Sequence, residues 1–294
     1  MANYSIKEIE HLSGVKAHTI RIWEQRYHVV DPKRTDTNIR YYTDEDLKLI
    51  LNIALLNKQG IRIGTIARMN TPEMLRKINS LSSVVAKYEL QINELIGSMI
   101  EIDEAKFEKI MLTNILQYGF EDTMLKVIYP FLEKIGIMWM TGNINPAQEH
   151  FISNLIRQKI IVAIDGQVYN PQLSSKKYLL YLPDGELHEL SLLFLCYLLK
   201  ARNNKVTYLG ASVPVQDVLS VVEHYQPDYV YTILTSAPAT SELEEYIRSL
   251  AEKLYPVKLL ISGQRIQDVS FDLPSNVLVL GKMDEIVGFL DGES

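Results

Sequence analysis

Apolar residues recur three and four apart across IKEIEHLS and again across VKAHTIRIWEQRY near the start of the chain, which predicts two short amphipathic helices. Ser5 stands where the first needs an N-cap and Gly14 where it has to end. The tight turn between the two gives helix-turn-helix spacing. The next stretch, DPKRTDTNIRYY, is too polar for a core and rich in turn formers and basic residues, so it reads as a hairpin wing. Thr43 followed by Asp44, Glu45 and Asp46 then opens a capped helix, DEDLKLILNIALLNKQG, with Leu47, Ile50, Leu51 and Ala54 on one face and Gly60 as its stop. From Thr71 to about Gly166 the helical spacing persists in YELQINELIGSMI, FEKIMLTNIL and MLKVIYPFLEKIGIMW, which predicts a connecting helix and a helical bundle.

Beyond Gly166 a polar linker, VYNPQLSSKK, separates two periodicities. Apolar runs of strand length (YLLYL, KVTYL, DYVYTIL, KLLIS, NVLVL) now alternate with stretches of helix length such as ELSLLFLCYLLKARNN, VQDVLSVVEHY and SELEEYIRSLAEKLY. That alternation predicts a parallel sheet with right-handed crossovers and helices on both faces. Such open sheets bind ligands beyond the carboxyl ends of their strands, so loops 183–188, 209–214, 234–238 and 262–266 become the candidate binding loops.

Charge sharpens this picture. The net charge of −6 disfavours a nucleic-acid partner when taken over the whole chain. Residues 1–70, however, hold eleven Lys and Arg against eight Asp and Glu, a balance of +3 that leaves −9 on the remainder. A cationic head on an acidic body suits a protein whose first part meets DNA. No stretch approaches the roughly 20 apolar residues of a membrane span, and MANYSIKEIE lacks the apolar segment of a signal peptide, so a cytoplasmic protein without membrane contact is expected. The single cysteine, Cys196, lies in the apolar run LSLLFLCYLL and reads as core, which leaves no disulfide framework and no thiolate metal site.

YSIKEIEHLSGVKAHTIRIWEQRY, the basic RYY wing and the TDEDL helix start resemble the MerR family over residues 3–70. On the residues themselves, the second helix enters the major groove with Lys16, His18, Thr19 and Arg21 on its exposed early turns. Arg26, Arg34, Arg40, Tyr41 and Tyr42 then touch phosphates or sugars and position the helix without reading sequence. Ile20 and Trp23, on the opposite face, are expected in the core. The resemblance implies the same residues, and a homo-oligomer, dimer or tetramer, that binds an inverted repeat in double-stranded DNA.

A second resemblance runs through the middle and end of the chain. Trp139 is followed after nine residues by Glu149 and His150, which resembles the W-x9-EH pattern of the helical cap over the upper face of cobalamin in methionine-synthase-like modules. The stretch PDGELHELS resembles the cobalamin motif D/E-x-H-x-x-G, with Glu186 and His188 in place and Ser191 where the motif has Gly. Thr232 and Leu234 fall at the family's S-x-L, and Ser262 and Gly263 at its GG. The resemblance implies adenosylcobalamin or methylcobalamin as cofactor, with His188 as the lower ligand of cobalt and Glu186 orienting its ring. Ser191, Thr232 and Ser262 each add atoms beside the cofactor's tail, so weak or absent binding is the corresponding expectation. In light-sensing members a histidine adjoining the cap tryptophan captures cobalt; Met140 stands there, and a thioether is a poor ligand for Co(III), so no photoadduct through this position is expected.

Enzyme motifs are missing. HELSL lacks the second histidine of H-E-x-x-H, and neither a Gly-rich phosphate loop nor a nucleophile elbow occurs. The expected architecture is a multidomain α and α/β chain: a winged helix-turn-helix over 1–75, a helical bundle cap over 76–168, and a flavodoxin-like (Rossmann-like) parallel sheet over 176–294. The whole resembles MerR-type regulators with a cobalamin-binding C-terminus, a group that includes light-responsive repressors of carotenoid genes. A ligand wedged between cap and sheet would bias the oligomer that binds an operator. Two alternatives stay open: a MerR-type regulator whose degenerate C-terminal domain serves as an interaction module, and a corrinoid carrier subunit, which has no use for a DNA-binding head.

Overall fold

The structure is a computed structural model that describes residues 3–35, 38–79, 84–140, 142, 144–170, 175–239, 242–267 and 271–292. Asp36 and Thr37 of the expected wing, Thr141 and Asn143 between Trp139 and Glu149, and residues 171–174 of the linker lie outside the described residues. The chain divides into two compact units, Met1–Asn154 and Leu155–Ser294.

The first unit opens with α1 (Ile6–Ser13), closed at its start by a capping box between Ser5 and Glu8 and at its end by Gly14 with φ 71°. Helix α2 spans Ala17–Ile22 and, where one uninterrupted helix is expected, passes into a π-helical turn over Trp23–Tyr27. Ile20 and Trp23 are buried. Strands β1 (Lys33–Arg34) and β2 (Arg40–Tyr41) pair antiparallel as the wing, with Lys33 opposite Tyr41 and Arg34 opposite Arg40. Helix α3 (Asp44–Lys58) begins in the Thr43–Asp46 capping box. It buries Ile53, Leu55 and Leu56 as well as the Leu47, Ile50 and Leu51 face, because α1, α4 (Ile63–Ile66), α5 (Thr71–Asn79) and α6 (Val84–Glu101) all pack on it. Helices α7 (Glu104–Tyr118), α8 (Phe120–Thr123) and α9 (Tyr129–Met140) complete the bundle, a second π-helical turn at Met124–Ile128 joining the last two. Helix α10 (Pro146–Asp165) follows.

In the second unit five parallel strands, β3 (Lys177–Pro183), β4 (Lys205–Val213), β5 (Tyr229–Ile233), β6 (Lys258–Ser262) and β7 (Val277–Val279), lie in the order β4-β3-β5-β6-β7. This is the flavodoxin-like order, whose switch point lies between β3 and β5. Residues 209–213, expected in a loop, belong to the end of β4. Alternation along β3 fills both faces. Leu179 and Tyr181 meet α12 (Val215–Tyr225) and α13 (Leu243–Leu254) on one side, while Tyr178, Leu180 and Leu182 meet α11 (Leu190–Ala201) and α14 (Met283–Asp291) on the other. Cys196 is buried in the second cluster, and burial pushes its thiol up to about 11, which makes it inert core.

Where β5 and β6 end, the backbones press together. Leu234 N–H donates to Ser262 O at 2.8 Å, and Gly263, at φ 112°, lies so close that a Cβ there would come within 2.4 Å of Leu234 O. Only glycine combines that dihedral with that approach. Gly263→Ala is therefore expected to cost about 2 kcal/mol or more and to lower the thermal unfolding midpoint of the chain by several degrees; an unchanged midpoint in differential scanning calorimetry would show that the strand ends can part freely.

Candidate functional site

Two sets of residues carry chemistry, one at each end of the chain. In the head, the Glu10 carboxylate accepts from Ala17 N–H at 2.9 Å and pairs with Lys16 Nζ at 3.1 Å, so a side chain of α1 caps the start of α2. Lys16, His18 and Arg21 are exposed along α2, and the half-buried Thr19 hydroxyl lies 3.3 Å from His18 Nε2. Arg26 is exposed with its guanidinium 5.6 Å from the centre of the Tyr27 ring. In the wing, Arg34 donates to Asn38 Oδ1 at 2.7 Å, and Arg40 and Tyr41 are half-buried.

Tyr42 corrects the sequence reading. Expected to touch phosphate or sugar, it is fully buried: its backbone bridges Tyr4, and its hydroxyl donates to Glu24 Oε1. Burial, then the hydrogen bond and charge of Glu24, hold its phenol protonated far above the ordinary range. Glu24 was missed because an acid in a short helix reads as solvated. A signal was present, since Ile20, Trp23 and Glu24 share the i, i+3, i+4 spacing of the core face.

In the second unit, the loop after β3 lies beside the switch point and is held from two sides. Ser212, at the end of β4, donates its hydroxyl to Asp184 Oδ1 at 2.9 Å and accepts from Gly185 N–H at 3.0 Å. From beyond β5, the backbone N–H groups of Thr235, Ser236 and Ala237 and the Ser236 hydroxyl all donate to Glu186 Oε2. Glu186 Oε1 accepts from His188 N–H at 3.1 Å and lies 2.5 Å from His188 Nδ1. Burial alone would raise the Glu186 carboxyl. The hydrogen bonds of Ser236, His188 and Ala237 outweigh it and hold the group down at about 2.

An ionised carboxylate can only accept, so in the neutral imidazole Nδ1 carries the proton and Nε2 keeps its lone pair. The His188 side chain is 67% exposed, and Nε2 has no partner among the described residues. Next to it, Glu189 accepts from Tyr208 Oη at 3.1 Å and pairs with Arg157 at 2.6 Å, anchors that no sequence pattern announces.

The donor set fits a corrinoid's lower axial site: one solvent-facing imidazole whose second nitrogen is fixed by a carboxylate. The tail side is more filled. Thr232 and Ser262 are buried at the ends of β5 and β6, Leu234 is buried beside them against Gly263, and Ser191 is half-buried in the first turn of α11. In the first unit, Trp139 lies in the last turn of α9 with 48% of its surface exposed, and Met140, at 78%, ends the helix. Glu149 and His150 occupy the first turn of α10, 3.0 Å apart, and Ser153 donates to Glu149 at 2.7 Å. Among the described residues no cluster of His, Cys, Asp and Glu forms a metal site, and no helix is long and apolar enough to cross a membrane.

Comparison with known proteins agrees with both halves. Residues 4–71 match the MerR HTH family regulatory protein, and residues 91–163 match the B12 binding domain. The chain is 24% identical over 260 residues to the HTH-type transcriptional repressor CarH of Myxococcus xanthus, covering 85% of each. It is 26% identical over 263 residues to the HTH-type transcriptional repressor CarA of the same organism, covering 88% of this chain and 85% of that one. The monomethylamine corrinoid protein of Methanosarcina barkeri shares the fold with a TM-score of 0.52 at 14% identity, over 67% of this chain and 95% of that one. The chain thus joins a segment that matches the MerR HTH family to a segment that matches the B12 binding domain.

Proposed function

We propose that this chain is a transcriptional regulator, not an enzyme, that binds DNA through its head and senses a cobalamin through the remainder. The observation that carries this reading is the exposed His188 imidazole, tied through Nδ1 to a buried, ionised Glu186 beside the switch point of a sheet that follows a DNA-binding head. The two relatives that span most of the chain are transcriptional repressors by name. In this reading the working parts are the helix-turn-helix over 1–75, the helical cap over 76–168 and the sheet domain over 176–294.

A bound cobalamin would supply a cobalt centre able to accept a nitrogen donor. His188 Nε2 would be the donor that this chain offers to cobalt, with Glu186 fixing its tautomer and ring orientation, and the exposed Trp139 would offer the first unit's flat apolar surface, with Glu149 and His150 as polar groups of the same unit. Ser191, Thr232 and Ser262 narrow the tail side, with Leu234 and Gly263 forming its backbone wall, so adenosylcobalamin or methylcobalamin binds less tightly than in a protein with glycine at the first and third of these positions. Lys16, His18, Thr19 and Arg21 face the major groove of an inverted repeat, and Arg26, Arg34, Arg40 and Tyr41 face phosphates and sugars. Ligand occupancy biases the homo-oligomer, dimer or tetramer, that engages the repeat. The filled tail side favours one rival, a regulator whose C-terminal domain has lost the cofactor.

On DNA, log Kd should rise linearly with log salt, with a slope set by the phosphates contacted. Arg21→Ala and Tyr41→Ala should each weaken binding by roughly tenfold, the order of one lost contact. A gel-shift series without salt dependence would remove the DNA assignment.

Visible spectroscopy tests the sensor. Wild-type protein mixed with methylcobalamin or adenosylcobalamin should show a histidine in place of the benzimidazole, and His188→Ala should lose that signature while keeping its far-ultraviolet circular dichroism. Absence of binding at high cofactor concentration would leave the DNA-binding rival.

Acid titration tests the state of Glu186. Its depressed carboxyl contributes stability that is fully present above its ordinary value of 4.5 and is lost as pH falls through its folded value of about 2. The stability difference between wild type and Glu186→Gln in urea melts should thus stay constant above about pH 5 and shrink between about 4.5 and 2. A difference that does not change across that window would show the carboxyl to be unpaired.

A further inference from the structure

The wing is too small to hold its own shape. Each strand contributes two residues, and isolated two-stranded ribbons are marginal even at greater length. Its register also sets Arg34 opposite Arg40, a like-charge pair that opposes the hairpin. An anchor outside the hairpin is therefore required. One is the backbone bridge between Tyr4 and Tyr42, with N–H to O distances of 2.8 and 2.9 Å. The other is Glu24, in the π-helical turn that ends the recognition segment, only 7% exposed.

Both Glu24 oxygens point at the wing strand. Oε1 accepts from Tyr42 Oη, and Oε2 lies 3.7 Å from Arg40 Nε. Alternation puts Arg40 and Tyr42 on one face of that strand and Tyr41 on the other. Glu24 thus approaches the guanidinium from the side of its inner nitrogen, and among the described residues no other ion pair of Arg40 is formed. Stability alone does not call for this group, because a buried ion pair is often replaced by apolar side chains of similar volume without loss. Glu24 sits in the Ile20–Trp23–Glu24 core stripe, where an apolar residue would pack. What the carboxylate adds is direction: it ties the orientation of Arg40 and the path of Tyr41 to the end of the helix that enters the groove.

We infer that Glu24 is a positioning residue for DNA binding, a buried clamp that sets the wing's phosphate contacts in register with the recognition helix. The inference rests on the reading of this head as a DNA-binding unit. A charge-neutralising role predicts the opposite sign, since loss of Glu24 would then free the Arg40 charge and tighten binding. A merely structural role predicts less folded protein with unchanged salt dependence.

The test is the affinity of the full-length chain for a random-sequence duplex, measured by fluorescence anisotropy across a salt series, with circular dichroism to quantify the folded fraction. For Glu24→Ala, binding should weaken by roughly tenfold and the salt slope should fall by about one per head, the loss of one phosphate contact. Glu24→Gln, which keeps one acceptor oxygen where the carboxylate has two, should restore part of both. Tyr42→Phe, which keeps the buried ring, should shift both in the direction of Glu24→Ala. The inference is overturned if Glu24→Ala binds as tightly as wild type or tighter, or if its slope is unchanged. Should Glu24→Ala fail to fold, wild-type binding by Tyr42→Phe overturns it equally. Wild-type protein without salt-dependent binding would instead remove the DNA reading itself, and this inference with it.

Discussion

A carboxylate taken out of water has to collect donors, and each of the two units of this chain holds one that does so. Glu186 gathers three backbone N–H groups and a hydroxyl from the segment after β5 on one oxygen, and the N–H and ring nitrogen of His188 on the other. Glu24 gathers the Tyr42 hydroxyl and the Arg40 guanidinium. Each joins segments that are not neighbours in the sequence. Pinning of this kind is specific because alternatives leave a charge unsatisfied in a medium of low dielectric.

The sheet makes the Glu186 arrangement possible. In the order β4-β3-β5-β6-β7, connections leave β3 and β5 toward opposite faces, so the loops beyond them diverge and open a crevice between. Glu186 bridges those two loops. The close approach of Gly263 to Leu234 fixes the neighbouring strand ends, where Thr232 and Ser262 are buried. A fold shared with a corrinoid protein at 14% identity shows how little of this scaffold depends on particular side chains. The Glu186–His188 pair depends on two of them.

Much of the layout was legible because local rules suffice for it. Capping boxes at Ser5 and Thr43, the stop at Gly14 and the short apolar runs of five strands are short-range effects, and the structure shows each where the sequence puts it. The π-helical turn at Trp23–Tyr27 was not legible, since helical periodicity does not separate i to i+4 from i to i+5 bonding. The burial of α3 on every side was likewise hidden, because a pattern along one helix does not count its neighbours. Tyr42 was misassigned for the same reason. RYY reads as three wing residues of one kind, whereas pairing with Tyr4 turns the last of them inward.

By itself the sequence determined the order of elements, the cationic head and acidic body, and the identity of the residues able to do chemistry. These follow from spacing, charge and side-chain type, which are properties of the chain as written. Tertiary structure alone decided that Glu24 is buried, that Tyr42 belongs to the core, and that Thr235, Ser236 and Ala237 meet Glu186 across about fifty residues of chain. The physical reason is common to all three. Whether a polar atom faces water or another polar atom depends on which segments packing brings together, and the free energy of that choice is set by partners with no fixed distance along the sequence.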